Sequence, residues 1–308
     1  MNRTILAPII GVLGGLLLAS GPGIASETPE TILIRSTLAN EMSGRRRVEL
    51  DLTMSAYHDD FAAFRAHGNA DPRAWTVEFE NLGSYAEHLE NELSRIQYDT
   101  HRTLPFIHVR GDYAMVTSID SGLVVDRSTG TQRVFGEFSF WTLRKIGNIW
   151  LITSLVADVG DSILALETPA GSPAQEIAEF LQNEANGWIA SQANLADRLY
   201  DDHFVGMTGG GNANPQSWEI LFAGAGEFDE FLGMRLANTS YTVDREVLYT
   251  AVGAQGNEAV AVTRESIRTA HKLGDAVHQL ERDVLWKLSR RAGSWRVRQL
   301  CYDVELGD

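Results

Sequence analysis

The sequence predicts an α+β protein in which one domain is written twice. Three observations carry this. A segment near residue 70 returns near residue 213, and its flanks return with it. Helical spacing dominates the first half of each copy and strand patterning the second half. The 308 residues suit about two ordinary domains.

The repeat is the strongest of the three. Gly68-Asn69-Ala70-Asp71-Pro72-Arg73-Ala74-Trp75 recurs as Gly211-Asn212-Ala213-Asn214-Pro215-Gln216-Ser217-Trp218. The same offset pairs Tyr57-His58-Asp59-Asp60-Phe61 with Tyr200-Asp201-Asp202-His203-Phe204. It pairs Asn40-Glu41 with Asn183-Glu184, Tyr98 with Tyr241 and Arg102 with Arg245. After a two-residue slip, Trp141, Leu143, Trp150 and Asp158 meet Trp286, Leu288, Trp295 and Asp303. The expected organisation is a leader over 1–26, a first domain over 28–160, a linker over 161–172 and a second domain over 173–308. The join, Thr168-Pro169-Ala170-Gly171-Ser172-Pro173, has linker composition.

The leader reads as a secretory signal peptide. One charge on Arg3 precedes an apolar run over Ile5–Ala19, and small residues in Gly23-Ile24-Ala25 offer a cleavage site. The apolar run falls short of the roughly 20 residues a spanning helix needs. A periplasmic or secreted location follows, with no membrane attachment after cleavage.

In the helical half, Thr28-Pro29 and Ser172-Pro173 resemble a cap with proline in the first turn. Ile34, Leu38 and Met42, and Ile177, Phe180, Leu181 and Trp188, fall at helical spacing. Asn194 can open a short second helix. A third helix is expected to begin at Pro72 and Pro215 and to carry Trp75 and Phe79, or Trp218 and Phe222. Strands are expected over 106–119, 121–125, 133–143 and 149–156, and over 259–269, 277–288 and 295–304.

Composition excludes several functions. Charged residues number 26 basic against 41 acidic, a net of −15. That opposes binding to nucleic acid or to anionic lipid, which need a basic surface. Cys301 is the single cysteine, so an internal disulfide or a cysteine-rich metal site is excluded. His101 and His108, or His271 and His278, would lie on opposite strand faces, which opposes a two-histidine metal site. Gly209-Gly210-Gly211 lacks the Lys-Ser/Thr of a phosphate loop and reads as a turn. No cofactor is implied. Arg45-Arg46-Arg47 reads as a solvated helix face.

Helical lead-in, an aspartate-rich segment running into Phe, a turn, a Trp-bearing helix, and long strands closing on Leu143-Arg144-Lys145-Ile146-Gly147-Asn148-Ile149-Trp150 form a set. Leu288-Ser289-Arg290-Arg291-Ala292-Gly293-Ser294-Trp295 repeats the closing piece. The set resembles the nuclear transport factor two-like, or SnoaL-like, domains, which include ketosteroid isomerase. The resemblance covers nearly all of both copies. It implies two tandem cone-shaped domains, each with N-terminal helices packed on a strongly curved antiparallel sheet.

The resemblance further implies a pocket inside each cone. Residues that could line one are Tyr57, Asp59, Trp75, Tyr98 and Arg102 in the first copy. Tyr200, Asp202, Trp218, Tyr241 and Arg245 are their counterparts in the second, and Asp283 is added there. Asp59 and Asp202 read more simply as turn residues, the aromatics as core, and the arginines as internal salt bridges. One strand face carries Phe138 and Phe140 in copy one and Asp283 and Leu285 in copy two, and sequence does not orient that face.

The known enzymes of this superfamily use a buried Asp, Glu or His for proton transfer. That set does not map onto either copy. Three functions stay open. One is non-catalytic binding of a small apolar or acidic molecule or a protein partner. The second is an acid–base isomerase, cyclase or dehydratase working in one cone. The third is a structural pseudo-dimer, the two repeats packed together.

Overall fold

The computed structural model describes residues 27–160, 173–192, 194–272 and 277–306. The leader, the linker, the Ser172 cap and the turn at Gly274-Asp275 lie outside the described residues. Among the described residues, no helix is long and apolar enough to cross a membrane.

Helix α1 (Pro29–Arg47) starts where Thr28 accepts the Thr31 amide at 3.2 Å and Pro29 sits in the first turn. Its apolar stripe buries Ile34, Leu38 and Met42, with Glu41 on the same face. Val48 closes it in the left-handed conformation. Then come α2 (Leu50–Met54), β1 (Tyr57–Arg65), β2 (Thr76–Phe79) and α3 (Leu82–Arg95). The long strands β3 (Ile96–Arg110), β4 (Tyr113–Asp126) and β5 (Gln132–Ile146) follow, and β6 (Ile149–Ala157) closes the unit. The second copy repeats each element: α4 (Pro173–Ile189), α5 (Leu195–Leu199), β7 (Tyr200–Thr208), β8 (Glu219–Ala223) and α6 (Ala225–Asn238). Its long strands are β9 (Thr239–Val252), β10 (Glu258–His271), β11 (Val277–Arg291) and β12 (Ser294–Tyr302).

Both sheets have the same order, β2-β1-β6-β5-β4-β3 and β8-β7-β12-β11-β10-β9. Every neighbouring pair is antiparallel except β1 with β6 and β7 with β12. The α+β class and the tandem repeat are therefore features of the molecule. Helices cover one face of each sheet and enclose a core of their own. In the first copy it holds Ile34, Leu38, Tyr57, Leu89, Trp141 and Trp150.

The expected third helix is corrected. Pro72–Ala74 and Pro215–Ser217 are single 3₁₀ turns, and the chain leaves Trp75 and Trp218 extended. Trp75 and Val77 then turn away from the helices, and a register shift against β1 puts Phe79 on the helix side with Tyr85. A spacing of four fits one face of a helix and of a regular strand alike, so the Trp75–Phe79 spacing could not separate the two. The true helix starts at Leu82, where Asn81 accepts the Ser84 amide at 2.9 Å. Strand β3 also begins ten residues before the expected 106. Its inward row runs Tyr98, Thr100, Arg102, and a buried arginine hides the apolar alternation that marks a strand.

The repeated Gly-Asn-Ala-Asp/Asn-Pro motif is a turn that aims a tryptophan. Gly68 and Gly211 take φ of 71° and 74°, where a Cβ is strained. Asn69 accepts the Asp71 amide and Asp71 the Arg73 amide; Asn212 and Asn214 do the same one copy later. The Trp75 indole donates back to Asn69 O, and Trp218 to Asn212 O at 2.9 Å. Asp158 and Asp303, also left-handed, accept the Gly68 and Gly211 amides through their carbonyls.

Those tryptophans face the other copy. The sheet faces turned away from the helices pack on each other and bury one shared core. It includes Phe64, Trp75, Met115 and Phe140 from the first copy with Met207, Trp218, Val260 and Leu285 from the second. The Phe138–Phe140 face is thus the seam between units and not a cone lining. Cys301 is fully buried in this seam. Tyr249 donates its hydroxyl to Trp75 O at 3.1 Å. Glu80 of the first copy accepts the amides of Gln255, Asn257 and Glu258 of the second.

Candidate functional site

The interior of the first cone is built around Arg102. Strand alternation on β3 turns it inward, beneath α1. Its Nε and Nη2 each donate to an Asp120 oxygen at 2.7 Å, a bidentate pair. Its Nη1 donates to Glu41 Oε2 at 2.9 Å and to Leu38 O. The guanidinium lies 4.6 Å from the Trp141 ring centre. Glu41 also takes the Tyr57 hydroxyl at 2.9 Å and Arg45 Nε, one helical turn on, at 2.5 Å. Arg45 reaches the Tyr85 hydroxyl as well. Arg45 is therefore not part of a solvated face; Arg46 and Arg47 are.

The second cone repeats the centre with a different periphery. Arg245 pairs with Glu265 at 2.6 Å and Glu184 at 2.7 Å, and lies 4.7 Å from Trp286. Tyr200 donates to Glu184 at 2.5 Å. Trp188 stands where copy one has Arg45, and donates its indole to Glu184 at 2.6 Å. Phe228 stands where copy one has Tyr85, so the hydroxyl that met Arg45 is lost together with the arginine. The second cation comes instead from β11, where Arg282 reaches Glu265 at 2.9 Å. Each cone thus pairs two guanidinium groups with two carboxylates, by different routes; the first also holds Glu137 beside Asp120, at the position of Arg282, outside these pairs and raised by burial.

These groups are electrostatically settled. Burial alone would raise the Glu41 carboxyl, yet Arg45 and Arg102 overcome it and hold Glu41 down at about 2. Burial likewise opposes ionisation of Glu265, and Arg245 and Arg282 hold it low. Burial raises the Tyr57 and Tyr200 hydroxyls well above their usual range. A carboxylate near 2, fully engaged by guanidinium donors, is a poor general base at neutral pH. Glu41 and Glu184 are 0% and 1% exposed, and the Arg102 side chain is 6% exposed.

Of the residues singled out from sequence, Tyr57, Tyr98, Arg102, Tyr200, Tyr241 and Arg245 lie on the cone side. Asp59 and Asp202 point outward to solvent from their strands. Trp75 and Trp218 lie in the seam, because the turn before them directs them to the opposite sheet face. Asp283 lies on that opposite face too, paired with Arg264 at 2.9 Å. The residues that sequence reasoning passed over are Glu41, Asp120 and Arg45, with Glu184, Glu265 and Arg282. A signal existed for two of them. Glu41 and Glu184 recur on an otherwise apolar helix stripe, and a charge repeated on a buried face needs a buried partner.

Two further groups near neutrality sit in the seam. Burial lowers the Lys287 ammonium to about 7, with Arg298 adding to the effect. Its Nζ lies 4.8 Å from the Phe64 ring centre and 5.4 Å from Phe140, with Ser154 Oγ at 3.5 Å. Burial raises the Glu258 carboxyl to about 7, against the pull of Arg298 at 3.4 Å. Among the described residues, no group of three or more His, Cys, Asp or Glu could hold a metal ion.

No family model and no curated protein matches this chain. Solved structures do resemble half of it. A ketosteroid isomerase-like protein from Erwinia carotovora atroseptica is 17% identical, with a TM-score of 0.37, over 44% of this chain and 98% of its own. A nuclear transport factor two-like superfamily protein from Salmonella enterica is 16% identical, with a TM-score of 0.35, over 44% and 92%. A cystatin-like-fold protein of unknown function from Nostoc punctiforme is 15% identical, with a TM-score of 0.32, over 45% and 98%. These are likenesses of fold. The two-unit architecture rests on the strand order and on the repeat itself.

Proposed function

We propose that the protein is an exported, non-catalytic binding module, in which two nuclear transport factor two-like units act as a fused pseudo-dimer. The observation that supports this most is the ion pairing inside both cones. Arg102 spans Glu41 and Asp120, and Arg245 spans Glu184 and Glu265, so these buried carboxylates are committed to guanidinium partners. An acid–base enzyme would need a carboxylate or histidine outside these pairs, and in the first cone Glu137 is the group it would use. Recognition of a small molecule or a protein partner is therefore assigned to the outer surfaces and to the seam.

The seam supports the pseudo-dimer reading. Equivalent surfaces meet there, as in an isologous dimer of separate chains. Fusing the two copies makes their association intramolecular.

The test has two arms. Protein recovered from the periplasm or medium of an expressing cell is expected to begin after Ala25, by mass. Recovery of chains that still begin at Met1 would overturn the export reading. A thermal-shift screen with apolar acids, sterols and polyketides is expected to show no saturable stabilisation. A ligand whose stabilisation disappears in Arg102→Met or Arg245→Met would place binding inside a cone.

A further inference from the structure

A shallow cleft opens where the seam reaches solvent. His58, Arg144 and Thr153 line it from the first copy, and His203, Arg298 and Gln299 from the second. Asp60 and Asp201 also border it, and they share one cation, Arg291. Asp60 pairs with Arg291 at 2.7 Å. Asp201 accepts the His203 amide at 2.9 Å and lies 3.8 Å from the same Arg291. Arg144 has no carboxylate at ion-pair distance among the described residues. Arg298 has one, Glu258 at 3.4 Å. Arg144 is thus the cleft's one lining guanidinium without an ion pair among the described residues.

Its polar atoms are directional. His58 Nδ1 accepts the Asp60 amide at 3.0 Å, which places the ring proton on Nε2 as a donor. Burial, with Arg144 and Arg298 contributing, moves His58 below its usual range and keeps the ring neutral. Gln299 is 5% exposed; its amide nitrogen donates to Thr142 Oγ1 at 2.8 Å and Ser154 Oγ at 3.3 Å. Its Oε1 is buried without a hydrogen-bond partner among the described residues. A buried acceptor without a donor calls for one from a ligand or water.

We propose that this cleft binds a small carboxylate carrying an adjacent hydroxyl or amino donor, its carboxylate on Arg144 and Arg298 and its donor on Gln299 Oε1. The proposal rests on the binding-module reading and names one of its sites. An α-hydroxy or α-amino acid has this layout; a bare carboxylate has only half of it. The site is composite, because neither copy alone supplies both arginines and the glutamine.

Calorimetric titration of the mature chain at fixed ionic strength tests it, with glycolate, glycine, acetate and chloride as probes. Saturable binding of glycolate or glycine is expected, at least tenfold tighter than acetate. Chloride should not compete at equal concentration. Arg144→Met should weaken glycolate at least tenfold, and Gln299→Leu should bring glycolate to the level of acetate, with circular dichroism unchanged. Flat titrations with glycolate, glycine and acetate would overturn the site. So would a glycolate affinity unmoved by Arg144→Met. If either variant misfolds, Thr153→Val and competition by chloride on the unaltered chain decide. Failure here leaves the export test and the Arg102→Met and Arg245→Met comparison standing, since neither touches this cleft.

Discussion

Trp75 and Trp218 hold the same place in the two repeats, and their rings lie 6.3 Å apart, tilted by 30°. Each is fully buried. Each reaches the other by the same device, a left-handed glycine, two side-chain-capped turns and a proline-led 3₁₀ turn. The repeated motif serves the contact between copies, so its duplication marks an interface.

Trp75→Ala should therefore cost about 3–5 kcal/mol, the usual range for a large buried aromatic. Trp218→Ala should cost about the same. The double variant should fall short of the sum, with a coupling of about 0.5–1.5 kcal/mol for the ring pair. Urea unfolding followed by circular dichroism measures all three. Strict additivity would mean that the rings pack against their surroundings and not on each other.

The two cone networks should be costly to break and indifferent to salt. Arg102→Met leaves Glu41 and Asp120 buried with one cation fewer, and should destabilise by about 3–5 kcal/mol. Arg245→Met should do the same. Arg264→Met removes the half-exposed pair with Asp283 and should cost under about 1 kcal/mol. Similar losses at 102 and 264 would contradict the burial difference.

Acid should act through Glu41. Its folded value of about 2 lies below the ordinary 4.5 of a glutamate. The stability it contributes is full above 4.5 and is lost as pH falls toward 2. Glu41→Gln should flatten that part of the pH–stability curve while lowering stability at neutral pH. A curve as steep as that of the unaltered chain would assign acid sensitivity to other groups.

Lys287 and Glu258 should give the seam a stability minimum near neutrality. Lys287 titrates near 7 when folded against 10.5 unfolded, so its cost is absent above 10.5 and grows by about 1.4 kcal/mol per unit as pH falls to 7. Glu258 titrates near 7 against 4.5, so its contribution is full below 4.5 and is lost as pH rises through 7. Lys287→Met should therefore gain more stability at pH 7 than at pH 10. Combining it with Glu258→Gln should remove the dip. An equal gain at both pH values would show that the ammonium keeps its charge in the seam.

Glycine positions separate conformation from space. Gly68→Ala and Gly211→Ala should each cost about 1–2 kcal/mol, because both residues are left-handed although nothing crowds them. Gly136 on β5 has neither a left-handed backbone nor a neighbour within 4 Å, so Gly136→Ala should be neutral or stabilising by up to about 1 kcal/mol. Thermal denaturation of the three variants checks this.

The sequence by itself determined the duplication, the α+β class and the long hairpin strands. These follow from local periodicity and from residues repeated at one offset, which survive without knowledge of packing. It also marked Tyr57, Arg102, Tyr200 and Arg245, which do meet in the cones. Only the tertiary structure decided which sheet face was inside. Alternation on a strand defines two faces but does not say which one meets helices and which one meets another sheet. With both faces buried, Phe138, Trp75 and Asp283 could not be placed by pattern alone. The pairing of Arg102 with Glu41 and Asp120, and the cleft between Arg144 and Gln299, join residues far apart in the chain. Such contacts exist only once the sheets have curled and the two copies have met.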